Sequence, residues 1–348
     1  MKLAPVYEAM SRRGAFEQRI VHTGQHYNNE MTIQFNEDFN LPFPDINLNV
    51  GSQRHLIQLS QMLIGLDKEL MDNTPDMAIV YGDTNTTAAG AIAASKLNIP
   101  LAHVEAGLRE WDKSIPEEIN KLLIDAVTDI YFCPSITAKY NLNNTGTKQN
   151  VHLTGDVVLS YMLNNTDRII QEEGILSDLR IIKNQYYLAT CHRAANTDNK
   201  KKLSHIIYAF QRADKPVVFI MHPRTSNAIE KYNLKEEVDH KNIKVISPQS
   251  FWKTQCLTLN ASKVLTDSGG LIKESFLHKV PSVILDTQTE WVEIVESGWA
   301  HISGPDAQEI LRALRMKPPE NEVRNMYLIE KAPEKVAEII YQYLTNHN

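Results

Sequence analysis

The stretch Asp76–Asn120, DMAIVYGDTNTTAAGAIAASKLNIPLAHVEAGLREWDKSIPEEIN, decides how the chain is read. Met77–Tyr81 is a short apolar run that stops at Gly82-Asp83-Thr84. An Ala-rich helical segment follows, and a second apolar run, Leu101–Val104, ends at Glu105. A strand-length apolar run closed by a polar turn, then a helix, then another such run, is the pattern of a parallel βαβ unit. Loops after the carboxyl ends of such strands line the crevice where ligands bind. Asp83 and Glu105 stand at those ends, and Glu117 opens the next helix just after Pro116. Taken singly, each acid has an ordinary reading, Asp83 as a helix cap and Glu117 as a favourable charge at a helix N-terminus. Three carboxylates converging on one crevice point instead to proton chemistry, because crowding shifts their pKa values.

Upstream, Met1–Arg13 reads as a helix, with Leu3, Val6, Tyr7 and Met10 at helical spacing and Pro5 in its first turn. An α/β domain normally opens with a buried strand. The pattern therefore predicts that the N-terminal first strand is missing, leaving apolar neighbours such as Ile79 and Val80 bare. Arg19–His22 is a strand ending in Thr23-Gly24-Gln25-His26, and Ile46–Val50 is a weaker one. Gln53–Met71 is an amphipathic helix with Leu56, Leu59, Leu63, Leu66 and Leu70 on one stripe.

Downstream come strands at Ile130–Cys133 and Val151–Thr154, and a polar, helix-prone region, Ser160–Asn184, that marks a boundary. The alternation then restarts. Tyr186–Thr190 leads into Cys191-His192-Arg193, Val217–Met221 into His222-Pro223-Arg224, and Ile243–Ile246 into Ser247-Pro248. Val264–Thr266 leads into Asp267-Ser268-Gly269-Gly270, and Glu322–Tyr343 reads as a final helix. The expected fold is α/β, two Rossmann-like doubly wound domains facing a cleft. Residues 1–160 form the domain carrying the carboxylates and 161–325 the nucleotide-binding domain, with 326–348 a helix packing back on the first.

The 348 residues suit two domains, and 43% hydrophobic with 22% charged is an ordinary globular balance. A net charge of -6 leaves no basic footprint for nucleic acid. Cys133, Cys191 and Cys256 are widely spaced and odd in number, which argues against disulfides or a zinc cluster and fits a cytoplasmic location. No apolar run approaches the ~18 residues of a membrane span, and no signal peptide is apparent.

Asp267-Ser268-Gly269-Gly270 offers a diphosphate the unpaired N–H groups of a helix N-terminus, and two glycines allow close approach. Glu274, one turn in, could take a ribose diol. A lone SGG also suits any tight strand–helix turn. His192-Arg193 and His222-Pro223-Arg224 pair imidazole with guanidinium, groups suited to proton transfer and phosphate binding. His192 has no second ligand at helical or hairpin spacing, so metal is excluded.

In combination, VHTGQHYNNEM (Val21–Met31), VYGDTNTTAAG (Val80–Gly90), HVEAGLR, PEEIN, CHRAAN, HPRT, TDSGG and DTQTEWVE resemble the non-hydrolysing UDP-N-acetylglucosamine 2-epimerases along almost the whole chain. The resemblance implies a fold like that of the B-type glycosyltransferases, interconversion of UDP-GlcNAc and UDP-ManNAc, and no metal or nicotinamide cofactor. It implies catalytic roles for Asp83, Glu105, Glu117, His192 and Lys2. Ser268, Gly269, Gly270 and Glu274 would bind UDP, with His222, Arg224 and Phe251 as further substrate contacts. Gln25 and His26 match positions where some members bind a second UDP-GlcNAc as activator. A homodimer serving surface polysaccharide synthesis is implied as well. TEWVE (Thr289–Glu293) and the Ile of PEEIN resemble the branch that includes UDP-2,3-diacetamido-glucuronate 2-epimerases. Lys121 stands where the family usually has Arg, Ala195 where it has Glu and Ile272 where it has Gln. The competing classes are a UDP-sugar glycosyltransferase and a sugar-nucleotide-binding protein without turnover.

Overall fold

The computed structural model describes residues 1–24, 37–147, 149–320 and 326–347. It divides into two compact units, residues 1–164 with 325–348, and residues 165–324. Both are α/β with parallel strands, and each is described by itself.

In the first unit β1 (Val21–His22) pairs with β2 (Ile46–Asn47). A separate sheet holds β3 (Ala78–Tyr81), β4 (Leu101–Val104), β5 (Ile130–Cys133) and β6 (Val151–Leu153) in that order. The two sheets approach at their carboxyl ends, where the Thr23 and Thr86 hydroxyls lie 2.7 Å apart. Small residues let helix Asn85–Lys96 lie close on β3: Ala88, Ala91 and Ala94 are fully buried, and a Cβ on Gly90 would stand 3.0 Å from Val80 Cγ1. That helix shields Val80, which is 8% exposed, so the expectation of a bare Val80 is not met.

Two further expectations change. Leu56 belongs to no buried stripe: helix His55–Asp72 buries Gln58, Met62 and Leu66, with Leu59, Leu63 and Leu70 packed beside them. Leu56, Ile57, Ile64 and Met71 form a second, outward apolar face. The final helix runs Ala332–His347 rather than Glu322–Tyr343. Pro333 lacks an N–H and fits only the first turn, so a helix cannot run through it undisturbed from further upstream. The helix packs on Leu3–Arg13 and Val157–Asn164.

The second unit is one six-stranded parallel sheet, β12-β11-β10-β7-β8-β9. Its strands are β7 (Tyr187–Thr190), β8 (Val217–Ile220), β9 (Ile243–Ile246), β10 (Lys263–Thr266), β11 (Ser282–Ile284) and β12 (Ala300–Ile302). From β7 the chain winds outward one way and from β10 the other, so the topological switch point lies between these neighbours. Leu203, Ile206, Phe210, Phe219 and Ile310 pack the core beneath it.

Candidate active site

In the first unit β3 and β4 end in left-handed backbone. Gly82 has φ 68 and Glu105 φ 71. Glycine takes that conformation freely, but for glutamate it is strained, and strain of this kind concentrates at functional sites. Asp83 does not cap the following helix, whose N-cap is Thr84. Its carboxylate lies 3.5 Å from the Lys121 ammonium. Lys121, itself buried, also stands 3.4 Å from Glu110 and 4.0 Å from Glu118. Asn120 Nδ2 donates to the Asp83 carbonyl at 2.9 Å. Glu105 is ion-paired with Lys2, whose ammonium occupies the space a Cβ on Gly82 would need. Asp83, Glu105, Lys2 and Lys121 thus gather at one sheet edge.

Glu117 is on the exposed side of the first turn of helix Pro116–Val127, while Glu118 is 1% exposed and accepts from the Glu110 N–H. Sequence reading singled out neither Glu110 nor Glu118: adjacent acids such as Glu117 and Glu118 carry no sign of which one faces inward, and Glu110 lies in a loop without a period.

In the second unit Asp267, at the end of β10, is the organiser. Its buried carboxylate accepts the N–H groups of His192 and Arg193 at 2.9 Å each and the Asn196 amide at 3.0 Å. The two strand ends at the switch point are so held together, aided by the Thr190–Thr266 hydroxyl contact at 2.7 Å. His192 Nδ1 lies 3.6 Å from Asp267, and its ring stacks at 5.1 Å against His222. His222 caps helix Pro223–Tyr232, its Nδ1 accepting the Arg224 N–H at 3.1 Å. Arg224 reaches Asp198 at 3.1 Å, and Arg193 reaches Asp286 at 3.0 Å. Burial, then the Asp267 charge, raises the Cys191 thiol well above its usual range, which removes it as a nucleophile.

Ser268 caps helix Gly269–Leu277, and a Cβ on Gly269 would meet Glu290 Oε1 at 3.2 Å and Trp291 Nε1 at 3.4 Å. The DTQTEW segment therefore lies over the first turn of that helix. Glu274 is buried, its Oε2 accepting from Gln255 at 2.7 Å. Gln255 in turn meets His278 Nε2 at 3.0 Å, and desolvation pushes His278 down to about 4, leaving the ring neutral. Phe251 opens helix Phe251–Leu259, buried edge-on against Trp252 at 5.0 Å. Gln25 and His26 lie outside the described residues.

A family model described as UDP-N-acetylglucosamine 2-epimerase matches residues 8–341. The UDP-N-acetylglucosamine 2-epimerase homolog of Methanococcus maripaludis is 43% identical over 344 residues, covering 98% of this chain and 96% of that protein. The UDP-2,3-diacetamido-2,3-dideoxy-D-glucuronate 2-epimerase of Pseudomonas aeruginosa is 38% identical over 321 residues, 90% of this chain and 88% of that one. The crystal structure of Methanocaldococcus jannaschii UDP-GlcNAc 2-epimerase in complex with UDP-GlcNAc and UDP superimposes with a TM-score of 0.91 at 36% identity, covering 98% and 96%. The protein is thus a sugar-nucleotide 2-epimerase, an isomerase of two Rossmann-like halves. The chain belongs to the UDP-N-acetylglucosamine 2-epimerase family.

Proposed function

We propose that the chain epimerises UDP-GlcNAc to UDP-ManNAc at C2 without net hydrolysis, by eliminating UDP and adding it back. The observation that carries this is the division of groups. The first unit presents Asp83 and Glu105 beside Lys2 and Lys121, and the second presents a capped helix N-terminus at its switch point.

The C2–H of a sugar is not acidic, so its removal must accompany departure of UDP from C1. Loss of both leaves 2-acetamidoglucal; UDP then returns to C1 while a proton is delivered to the opposite face of C2. Backbone N–H groups at Gly269 and Gly270 and the Ser268 hydroxyl, with Arg193, His222 and Arg224, would hold the leaving diphosphate, each well-aimed donor worth about 3 kcal/mol. Glu274, held by Gln255, would accept the ribose diol. Asp83, Glu105, Glu117 and His192 would serve the sugar and its protons, a general acid or base contributing roughly 10²–10⁴-fold.

The same proposal includes a cytoplasmic homodimer feeding surface polysaccharide synthesis. The outward face of helix His55–Asp72, with Leu56 81% and Ile64 72% exposed, supports a second copy as its cover.

Incubation with UDP-GlcNAc alone in D₂O tests the chemistry. The expected product is a new sugar nucleotide carrying deuterium at C2 and its original hydrogen at C1. Product with only protium at C2 would overturn elimination and re-addition, and turnover of UDP-2,3-diacetamido-glucuronate alone would reassign the substrate.

A further inference from the structure

Behind the turn that carries Asp83 lies a buried cluster with no part in the reaction so far. His103, on β4, is 1% exposed. Its Nε2 is 2.8 Å from the Gly82 carbonyl and its Nδ1 2.9 Å from the Asp125 carboxylate. Arg109, also buried, contacts the other Asp125 oxygen at 2.6 Å. Desolvation pushes the Asp125 carboxyl up, but hydrogen bonds and charge from His103 and Arg109 outweigh it and hold the group below the usual range. With the Arg109 guanidinium 2.6 Å from its second oxygen, Asp125 is an anion whatever the charge on His103, and it only accepts. The Gly82 carbonyl only accepts too.

A neutral imidazole has one N–H, so it would turn a lone pair on one of these two oxygens in a buried place. We infer that His103 is a doubly protonated positioning residue: it anchors the Gly82–Asp83 turn and keeps a positive charge behind Asp83 and Glu105. Two cations and one carboxylate leave the cluster with one net positive charge. Beyond it the ammonium groups of Lys121 and Lys2 face four carboxylates, Asp83, Glu105, Glu110 and Glu118, so the cluster sets its positive charge against an acid-rich site. From β5, Tyr131 donates its hydroxyl to the Asp125 carbonyl at 2.8 Å. Burial, then the Asp125 charge, pushes the Cys133 thiol up to about 12, so it stays neutral. Lys139, from helix Ile136–Asn144, and Lys121 and Lys2 beside the acids are themselves cationic.

His103 and Asn120 between them hold both carbonyls of the Gly82-Asp83 pair, one from behind and one from the neighbouring helix. The turn is thereby fixed while the carboxylates remain available to substrate. What the charge does for turnover rests on the epimerase reading; the protonation state does not.

Two measurements on the full chain test this. With ¹⁵N-labelled histidine, the imidazole spectrum at neutral pH should show both His103 nitrogens protonated, assigned by comparison with His103→Gln or through the backbone. A single neutral tautomer would overturn the inference, and this arm decides it even if the variant fails to fold or the wild type does not turn over UDP-GlcNAc. His103→Gln keeps a donor for Gly82 and loses the charge. Its kcat should fall about 10-fold with UDP affinity retained, within what one electrostatic donor contributes. The acid limb of its kcat/KM profile should move up by about one pH unit, because the carboxylates lose a stabilising cation. Wild-type kcat with an unmoved profile would overturn the role.

Discussion

The two units solve different problems with different parts of the chain. In the first, the ends of β3 and β4 present side chains, Asp83 and Glu105, each beside an ammonium, Lys121 and Lys2. In the second, the ends of β7 and β10 are organised through backbone: a carboxylate, Asp267, turns inward to hold N–H groups, and Ser268 caps the start of a helix. On the proposed function, proton transfer requires groups whose charge can change, and the first unit would supply acids beside two cations, the buried Lys121 and the partly exposed Lys2. Diphosphate binding requires fixed dipoles that do not titrate, which a helix N-terminus supplies at any pH. On the same reading His192 would be the exception, an imidazole serving the sugar from the unit that holds UDP.

The largest expected effect separates these roles. Asp83→Asn should lower turnover at least about 10²-fold, roughly 2.7 kcal/mol, while calorimetry finds UDP affinity unchanged. His192→Ala and Glu117→Gln should do the same from either unit. Loss of UDP affinity in Asp83→Asn would break the division between chemistry and binding.

Acid should act on both units in the histidine range, through His278 in the second and the less strongly lowered His152 in the first. It should act again on the first through Asp125 at lower pH. His278 has its folded pKa near 4, below the ordinary 6.5, so between those values the unfolded chain binds the extra proton. Stability from the second unit is therefore complete above about pH 6.5 and declines towards pH 4, by about 3 kcal/mol. Asp125, lowered from 3.8, costs the first unit stability only below its ordinary pKa. Trp252, Trp291 and Trp299 lie in the second unit and Trp111 in the first, so tryptophan fluorescence follows mainly the second. Its melting temperature should fall between pH 7 and pH 5, and His278→Gln should flatten that slope. A slope equally steep in the variant would remove His278 as the cause.

The smallest effect sharpens the binding half. Gly269→Ala places a methyl 3.2 Å from Glu290 Oε1 and 3.4 Å from Trp291 Nε1, over the first turn of the helix. UDP affinity should drop about tenfold, near 1.4 kcal/mol, with kcat at saturation nearly unchanged. An equal fall in kcat with affinity preserved would mean that Gly269 serves the reaction rather than UDP.

Much of this was legible because it is local. Strand ends were visible where apolar runs stop at polar turns, as at Tyr81-Gly82-Asp83 and Thr266-Asp267-Ser268, and most strands fall within a residue or two of expectation. Capping by Ser268 and His222 is equally local, but the sequence reading gave these residues only ligand roles. Helix His55–Asp72 was read less well, because it has two apolar faces and periodicity alone cannot say which one meets the core. The short β11 and β12 carry too few residues to show a period.

The sequence by itself determined the α/β class, the ligand-facing strand ends and the acids and glycines placed there, since each depends on a few adjacent residues. Only the tertiary structure decided which partners those groups have. Lys2 meets Glu105, Lys121 meets Asp83, Glu110 and Glu118, His103 meets Gly82 and Asp125, and Asp267 meets His192 and Arg193. Most of these pairs are far apart in the chain and share no spacing, and even the near pair Lys121–Glu118 shows its burial only in the fold. The charge state of a carboxylate is set by its neighbours in space and by its distance from water, and neither is written in the order of residues.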